Sequence, residues 1–397
     1  MLDSFLRQVT KDSYGPVPFS EKTSLLAVVH RFNDGFSVSG WGKMPDPITD
    51  RGRVASGVFT LFNEIYRSDE AWKKFLRSAD ALSFRKAGSS IPQSGDVSSM
   101  LNEISERLPL RSNYLGVIGE KTFKALDSKS PLRPEDLLPV AGILESLKDN
   151  LLLHPVCEYF QEEKIPSTTV MGRSVRDHSV WRNQALPKML PFQLLCHFTL
   201  NGASVGNLKT GDLSIPKTAA LHTLQAGATW DFPLIELVLP QDPLRRRAGL
   251  SEAVWITGMA GSKLQELMLT AAWISAFARA QAKGFGLNLE SIELKFALEE
   301  SGKPVLVDAF SLEDMVFEKD GARFQFETAL EFYRKTAWLD AVIRAQTQAA
   351  HLGLGEWRRN CVEPVPLLDP KVKAAVEEEN RVLAGLFFRK AADVLQG

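Results

Sequence analysis

One stretch toward the C-terminal third constrains this chain more than any other. Ser291-Ile-Glu-Leu-Lys-Phe-Ala-Leu298, then Gly302-Lys-Pro-Val-Leu-Val-Asp-Ala-Phe-Ser-Leu-Glu-Asp314, predicts an antiparallel hairpin over 288–310 turning at Ser301-Gly302. Side chains two apart on a strand share a face, so Glu293, Lys295 and Ala297 point the same way. The second strand is an apolar run, Val305-Leu-Val307, that delivers Asp308 at its end. A carboxylate buried there without a partner is costly, so Asp308 calls for a bound counter-charge. Acids and a lysine meeting across a hairpin suit Mg²⁺ and nucleotide phosphates. Position 297, where a further acid would complete the set, holds alanine.

Composition narrows the class without naming a reaction. A chain of 397 residues suggests two or three packed modules, and 44% hydrophobic with 24% charged residues is ordinary for a globular protein. A net charge of -1 supplies no general field for nucleic acid or an anionic membrane, so neither is expected as a partner. Cys157, Cys196 and Cys361 show neither metal-ligand nor disulfide-framework spacing. The first residues lack the apolar segment of a secretory signal, and no apolar run approaches the roughly 20 residues of a membrane helix. The expected setting is reducing and cytoplasmic.

Periodicity predicts strands and turns over 1–60, with an apolar run at Leu25–Val29, then a helix from Val54 to Leu76. Residues 87–100 read as an exposed loop, and 100–107 and 134–153 as helices, Pro134 opening the latter. Strands return over 188–240, a long helix covers Leu250–Lys283, and the tail from Glu327 is helical, interrupted at Pro364 and Pro366. Gly258-Met-Ala-Gly261-Ser-Lys263 lacks the spacing of a phosphate loop and reads as a helix start. Arg245-Arg-Arg247 reads as a solvated loop, with phosphate binding as its alternative. His178 and His222 have no Ser or Cys partner at hydrolase spacing. Intermixed strands and helices joined by hairpins indicate an α+β fold.

Several blocks, in order, carry a family resemblance. The hairpin resembles the (I/V)-D-x-K-x-E-F-G and L-x-D-E-x-x-P-D segment of SAICAR synthetases, the purine-biosynthesis ligases. Phe36–Asp46 resembles their Y-S-V-F-D-W-G-x-M-P-D block and Ile48–Gly52 their I-P-G-K-G. Pro191–His197 with Leu200–Ser204 resembles P-L-E-V-V-V-R and L-T-G-S-S. Pro233–Glu236, Tyr333–Thr336 and Val9–Tyr14 also fit. The resemblance implies a two-domain fold: a mostly antiparallel N-terminal sheet with a helical insertion over 1–190, an ATP-grasp-like α+β domain over 191–326, and a helical C-terminal extension over 327–397. It further implies ATP in a cleft that the hairpin faces.

Carried over residue by residue, the resemblance makes Lys295 and Asp308 catalytic. It places Lys11, Gln193, Glu293 and Lys295 at ATP, with Ser37, His197, Ser204, Asp242 and Arg245 at a small phosphorylated or carboxylated substrate. Mg²⁺ would fall to Asp308, Glu313 and Asp314. The departures are as informative: Ala297, Ala309, Val316, Gly40, His197, Gln193 and Pro240 stand where the family has acids, arginines or a lysine. Losing a carboxylate weakens a metal site, and histidine for arginine removes a permanent bidentate donor. The implied activity is an ATP-dependent carboxylate–amine ligase with a changed substrate. The alternative is a catalytically impaired relative serving as a nucleotide-binding or assembly module. A homo-oligomer is left open.

Overall fold

The computed structural model describes residues 4–7, 9–89, 97–127, 130–171, 173–200, 226–242, 245–324, 327–352 and 357–396. The chain runs β1 Ser4–Arg7, β2 Lys11–Pro18, β3 Leu26–Phe32, α1 Arg51–Arg67, α2 Asp69–Leu76, α3 Ala79–Ser89 and α4 Val97–Ser105. There follow β4 Tyr114–Gly119, α5 Glu120–Ala125, α6 Val140–Lys148, β5 Leu153–Glu158, β6 Ser167–Val170, β7 Arg173–Arg176, α7 Ser179–Arg182 and β8 Lys188–Met189. Then come β9 Gln193–Thr199, β10 Thr229–Val238, β11 Arg247–Ala248, α8 Leu250–Thr257 and α9 Gly261–Gly284. The chain closes with β12 Asn288–Leu298, β13 Pro304–Val307, β14 Met315–Lys319, β15 Ala322–Arg323, α10 Glu327–Tyr333, α11 Ala337–Leu352 and α12 Pro370–Gln396.

The fold is α+β, with every strand pair within its sheets antiparallel. A five-stranded sheet has the order β1-β2-β3-β5-β4, and an eight-stranded sheet the order β11-β10-β9-β12-β14-β15, with β8 and β13 also on β12. Strand β12 is the hinge of this arrangement. Its first half lies between β9 and β14, and its second half passes to β13 and β8. The predicted hairpin is therefore present, with Lys295 opposite Val307 and Gly302 turning at φ 77°.

One continuous apolar core joins both sheets through α1 and α9. Nearly every face of α1 is buried, Phe62 meeting Phe285, Phe310, Phe317 and Phe387, while Trp72 stacks on Phe277 at 4.1 Å. A separate cluster seats the loop residues Phe36, Val38, Met44 and Ile48 against Tyr333, Trp338 and Val342 of the helical tail. Among the described residues no helix is long and apolar enough to cross a membrane.

Local chemistry accounts for the differences from periodicity. The expected helix Val54–Leu76 begins earlier, at Arg51, and breaks at Ser68, whose extended backbone and hydroxyl cap the amide of Ala71. The long helix Leu250–Lys283 breaks at Gly258, which takes the left-handed φ of 66° that ends α8, and α9 restarts at Gly261 as the motif predicted. Residues 134–153 hold a 3₁₀ turn, the shorter helix α6 and the start of β5. Much of the stretch 87–100, read as a loop, is helix end: α3 reaches Ser89 and α4 starts at Val97.

Gly52 shows how tightly α1 is pressed onto β3. A Cβ there would stand 2.7 Å from the Phe32 carbonyl oxygen, backbone against backbone. Gly52→Ala is expected to cost about 1–3 kcal/mol in urea unfolding. Gly261→Ala, whose Cβ meets nothing within 4 Å at the start of α9, should be neutral or slightly stabilising.

Candidate active site

Backbone geometry places Asp308 first. The outer edge of β13 is held by the segment before β4: the Asn113 amide donates to the Leu306 carbonyl at 2.8 Å, and the Leu306 amide to Arg111 at 2.9 Å. Beyond Val307 the chain leaves the extended conformation, Asp308 taking a left-handed φ of 49°. Its amide is satisfied by the Asn113 side-chain oxygen at 3.0 Å, and the next carbonyl, Ala309, accepts from Asn63 of α1 at 3.0 Å. The carboxylate is thereby turned toward the first sheet. Lys11 Nζ on β2 donates to its Oδ2 at 2.7 Å, and His30 Nε2 on β3 lies 3.2 Å from its Oδ1. Ser13, the cross-strand partner of His30, touches His30 Nδ1 at 3.0 Å.

A second group of charges lines the adjoining face of the larger sheet. Lys295 Nζ lies 3.3 Å from both oxygens of Asp314, which also accepts from the Ser311 hydroxyl at 2.8 Å. Arg51, from the start of α1, meets Glu313 at 2.5 Å and the Gly35 carbonyl at 3.2 Å. Arg245 bridges Glu293 at 2.5 Å and Gln193 at 3.0 Å. The result is a seam between the sheets, lined by acid–base pairs.

Burial and charge compete at each group. Burial alone would raise the Asp308 carboxyl, but Lys11, His30 and Lys295 hold it well below the usual carboxylate range. Burial, reinforced by Lys11, lowers His30, so its ring is neutral near pH 7. Burial also opposes the charge on Lys295, yet Asp314, Glu293 and Asp308 outweigh it and push its ammonium upward. Asp314 is raised by burial and by its acidic neighbours Glu293 and Glu313, which offset the help of Lys295. Three carboxylates thus surround one half-buried ammonium.

Of the residues singled out from sequence, Lys11, Gln193, Glu293, Lys295, Arg245, Asp308, Glu313 and Asp314 come together along this seam. Lys295 was expected opposite Asp308; its ion-pair partner is Asp314, because Asp308 turns away toward Lys11. His197 is buried on the same sheet face, 3.5 Å from Glu236, with neither ring nitrogen hydrogen-bonded among the described residues. Asp242 stands apart, held by His178 at 2.8 Å and Arg246 at 2.9 Å. Ser37 is exposed on the loop that docks on the helical tail, its hydroxyl 3.4 Å from the Gly42 amide. Ser204 and His222 lie outside the described residues.

Arg245 and Arg246 are exposed, as the solvated-loop reading expects, and the three arginines are also ion-paired: Arg245 holds Glu293, Arg246 holds Asp242 and Glu252, and Arg247 holds the fully buried Glu236. Two expectations need correction. Asp308, Glu313 and Asp314 do not converge on one point, since each is engaged by a different cation, and no three carboxylates among the described residues do. They do not fit the all-oxygen octahedral shell that Mg²⁺ demands. Ala297 is no open vacancy either; it is fully buried among Phe160, Val305 and Val307, with Met189 packed against them.

Sequence reasoning missed His30, Arg51, Asn113 and Cys157. His30 follows the apolar run Leu25–Val29 and Arg51 sits in the Ile48–Gly52 block, so a charged or titratable residue beside an apolar run or a glycine was the available signal.

No family profile matches the chain. It is 22% identical over 339 residues, 85% of its own length and 81% of the other's, to a protein of Archaeoglobus fulgidus named "Putative phosphoribosylaminoimidazole-succinocarboxamide synthase". The solved structure of a SAICAR synthase superposes with a TM-score of 0.50 at 12% identity, covering 98% of this chain and 95% of that one. The Saccharomyces cerevisiae enzyme, solved with SAICAR, gives 0.49 at 12% identity and the same coverage. The fold is that of the SAICAR synthetases.

Two substitutions probe the seam. Lys11→Met leaves the Asp308 carboxylate with a neutral imidazole and should cost about 3 kcal/mol in urea unfolding, much of it recovered in the Lys11→Met/Asp308→Asn double variant. Ala297→Glu forces a carboxylate into the Phe160–Val305–Val307 cluster, so melting should drop by several degrees, with no gain of Mg²⁺-dependent binding.

Proposed function

We propose that this chain is a purine-biosynthesis-type ligase that uses ATP to join a carboxylate to an amine, on a substrate that has diverged from that of its relatives. The observation that carries the reading is the meeting of Lys11 and Lys295, drawn from different sheets, beside Asp308 and Asp314. Two ammonium groups steered by fixed carboxylates suit the charge that spreads over a transferring phosphoryl group. In this reading residues 1–190 form the N-terminal domain, 191–326 an ATP-grasp-like domain and 327–397 the helical extension.

The chemistry runs in two displacements. A substrate carboxylate oxygen attacks the γ-phosphorus of ATP and the bond to the bridging oxygen breaks, releasing ADP. An amine nitrogen then attacks the acyl carbon and inorganic phosphate leaves, the amine proton passing to the medium. Lys295 and Lys11 neutralise phosphoryl oxygens in the first step. Arg245, half-exposed and able to swing from Glu293, takes the substrate's own phosphate. Because the carboxylates are already paired with cations, metal dependence is weak and no step is assigned to Mg²⁺.

A second reading, a catalytically impaired relative that binds nucleotide or serves assembly, is favoured by the sealed environment of Ala297. Calorimetry with ATP, with and without Mg²⁺, separates the possibilities when combined with an assay for ADP. ATP binding should change by less than about tenfold on removing Mg²⁺, and Lys295→Met should weaken it by more than that. With aspartate and the carboxylated aminoimidazole ribotide, ADP release should be far slower than an efficient ligase gives; a different carboxylate should serve better. Strictly Mg²⁺-dependent binding would overturn the self-neutralised seam. Binding without ADP release from any carboxylate–amine pair would leave the second reading.

A further inference from the structure

The seam holds a donor set of which the ligase reading uses only Asp308. His30, Cys157 and Asp308 each offer one ligand atom, and the three atoms lie within 4.8 Å of one another. It is the one such convergence of three His, Cys, Asp or Glu side chains among the described residues. We propose that these side chains bind a thiophilic divalent ion of the zinc type.

The chemistry of the donors sets the ion class. A thiolate, an imidazole and a carboxylate match zinc, whereas Mg²⁺ requires oxygen ligands. Bonds of about 2.0–2.3 Å separate tetrahedral ligands by roughly 3.5 Å, so a contraction of about 1 Å completes the site. Three protein ligands leave a fourth position for water or a ligand.

Outer contacts already orient each donor. Ser13 holds His30 Nδ1 at 3.0 Å and leaves Nε2 facing the carboxylate. Asn113 fixes the Asp308 backbone, and Lys11 takes Oδ2, leaving Oδ1 toward the imidazole. Cys157 on β5 is the cross-strand partner of Val28, two residues from His30 on β3. His30 and Cys157 are buried, while the Asp308 side chain is 23% exposed and gives the ion its approach.

Binding balances in charge and protons. The thiol loses its proton to the medium, the imidazole proton facing Asp308 passes to Nδ1 against the Ser13 hydroxyl, the ion takes its place between His30 and Asp308, and thiolate plus carboxylate cancel the dication. Lys11 is the opposing element, since its ammonium already neutralises Asp308. Removing that charge while keeping the donors should tighten the site.

The inference shares Asp308 and Lys11 with the ligase reading but does not rest on it, and its test needs no nucleotide. The chelator-stripped, reduced full-length chain is titrated with Co²⁺ and its absorption recorded. A thiolate-to-cobalt charge-transfer band with tetrahedral visible bands is expected at one ion per chain, displaced by Zn²⁺. Cys157→Ser should abolish the charge-transfer band, His30→Gln should weaken or shift it, and Cys196→Ser, at a buried thiol of the second sheet, should leave it intact. Lys11→Gln should lower the Co²⁺ dissociation constant by about tenfold. A wild-type protein with no charge-transfer band overturns the proposal, as does a band that survives Cys157→Ser. A hydrogen-bond network of purely structural role gives the first of these results.

Discussion

The position of Asp308 depends on a conformation that aspartate does not take cheaply. A left-handed φ costs a non-glycine residue of order 1–3 kcal/mol, and Phe310 two residues on repeats the strain at 68°. The surroundings that hold it are the same contacts that join the two sheets. Asn113 satisfies the Asp308 amide while its own amide ties β13 to the first sheet, and Asn63 of α1 takes the following carbonyl. Lys11 and His30 then fix the carboxylate from strands β2 and β3. The strained residue, the sheet-to-sheet junction and the charge centre are one structure.

Charge pairing across the seam has a cost that apolar packing lacks. Taking two charges out of water offsets most of their attraction, so the pairs are a poor source of stability but a strong source of specificity. Two of them cross the junction: Lys11 of β2 with Asp308, and Arg51 of α1 with Glu313. Sliding either sheet by one residue would leave buried carboxylates without partners, which is far costlier than the pairs are favourable. The same pairing leaves the cations pre-aimed. An anionic ligand entering the seam exchanges one carboxylate partner for another instead of ordering a loose lysine.

What could be read from sequence was local. The alternation Glu293-x-Lys295-x-Ala297, the turn at Gly302 and the apolar run before Asp308 specify a hairpin within a couple of dozen residues, and the hairpin is present. The burial argument that Asp308 needs a partner was also sound. Its partners were not legible, because Lys11 and His30 lie 297 and 278 residues away and reach it only through the register of β2 against β3. The breaks at Ser68 and Gly258 were lost for the opposite reason: apolar spacing continues across them, and only the cap residues reveal the stop. Arg245 is exposed as read, but its ion pair was not legible, because nothing in three consecutive arginines announces that each reaches its own acid.

The two ends of the larger sheet's seam face differ in how their side chains are satisfied. Ala297 and Ala309 are both buried: Phe160, Val305 and Val307 close over Ala297, and the Ala309 carbonyl is used by Asn63. The wall around Ala297 is therefore closed apolar surface. On β9 the outcome is otherwise. Both ring nitrogens of His197 and the hydroxyl of Thr199, two residues along the same strand face, are buried without hydrogen bonds among the described residues. Buried polar atoms left unpaired cost about 1–3 kcal/mol each. Among the described residues the face is thus apolar and closed around Ala297, while the polar atoms of His197 and Thr199 find no partner at the β9 end.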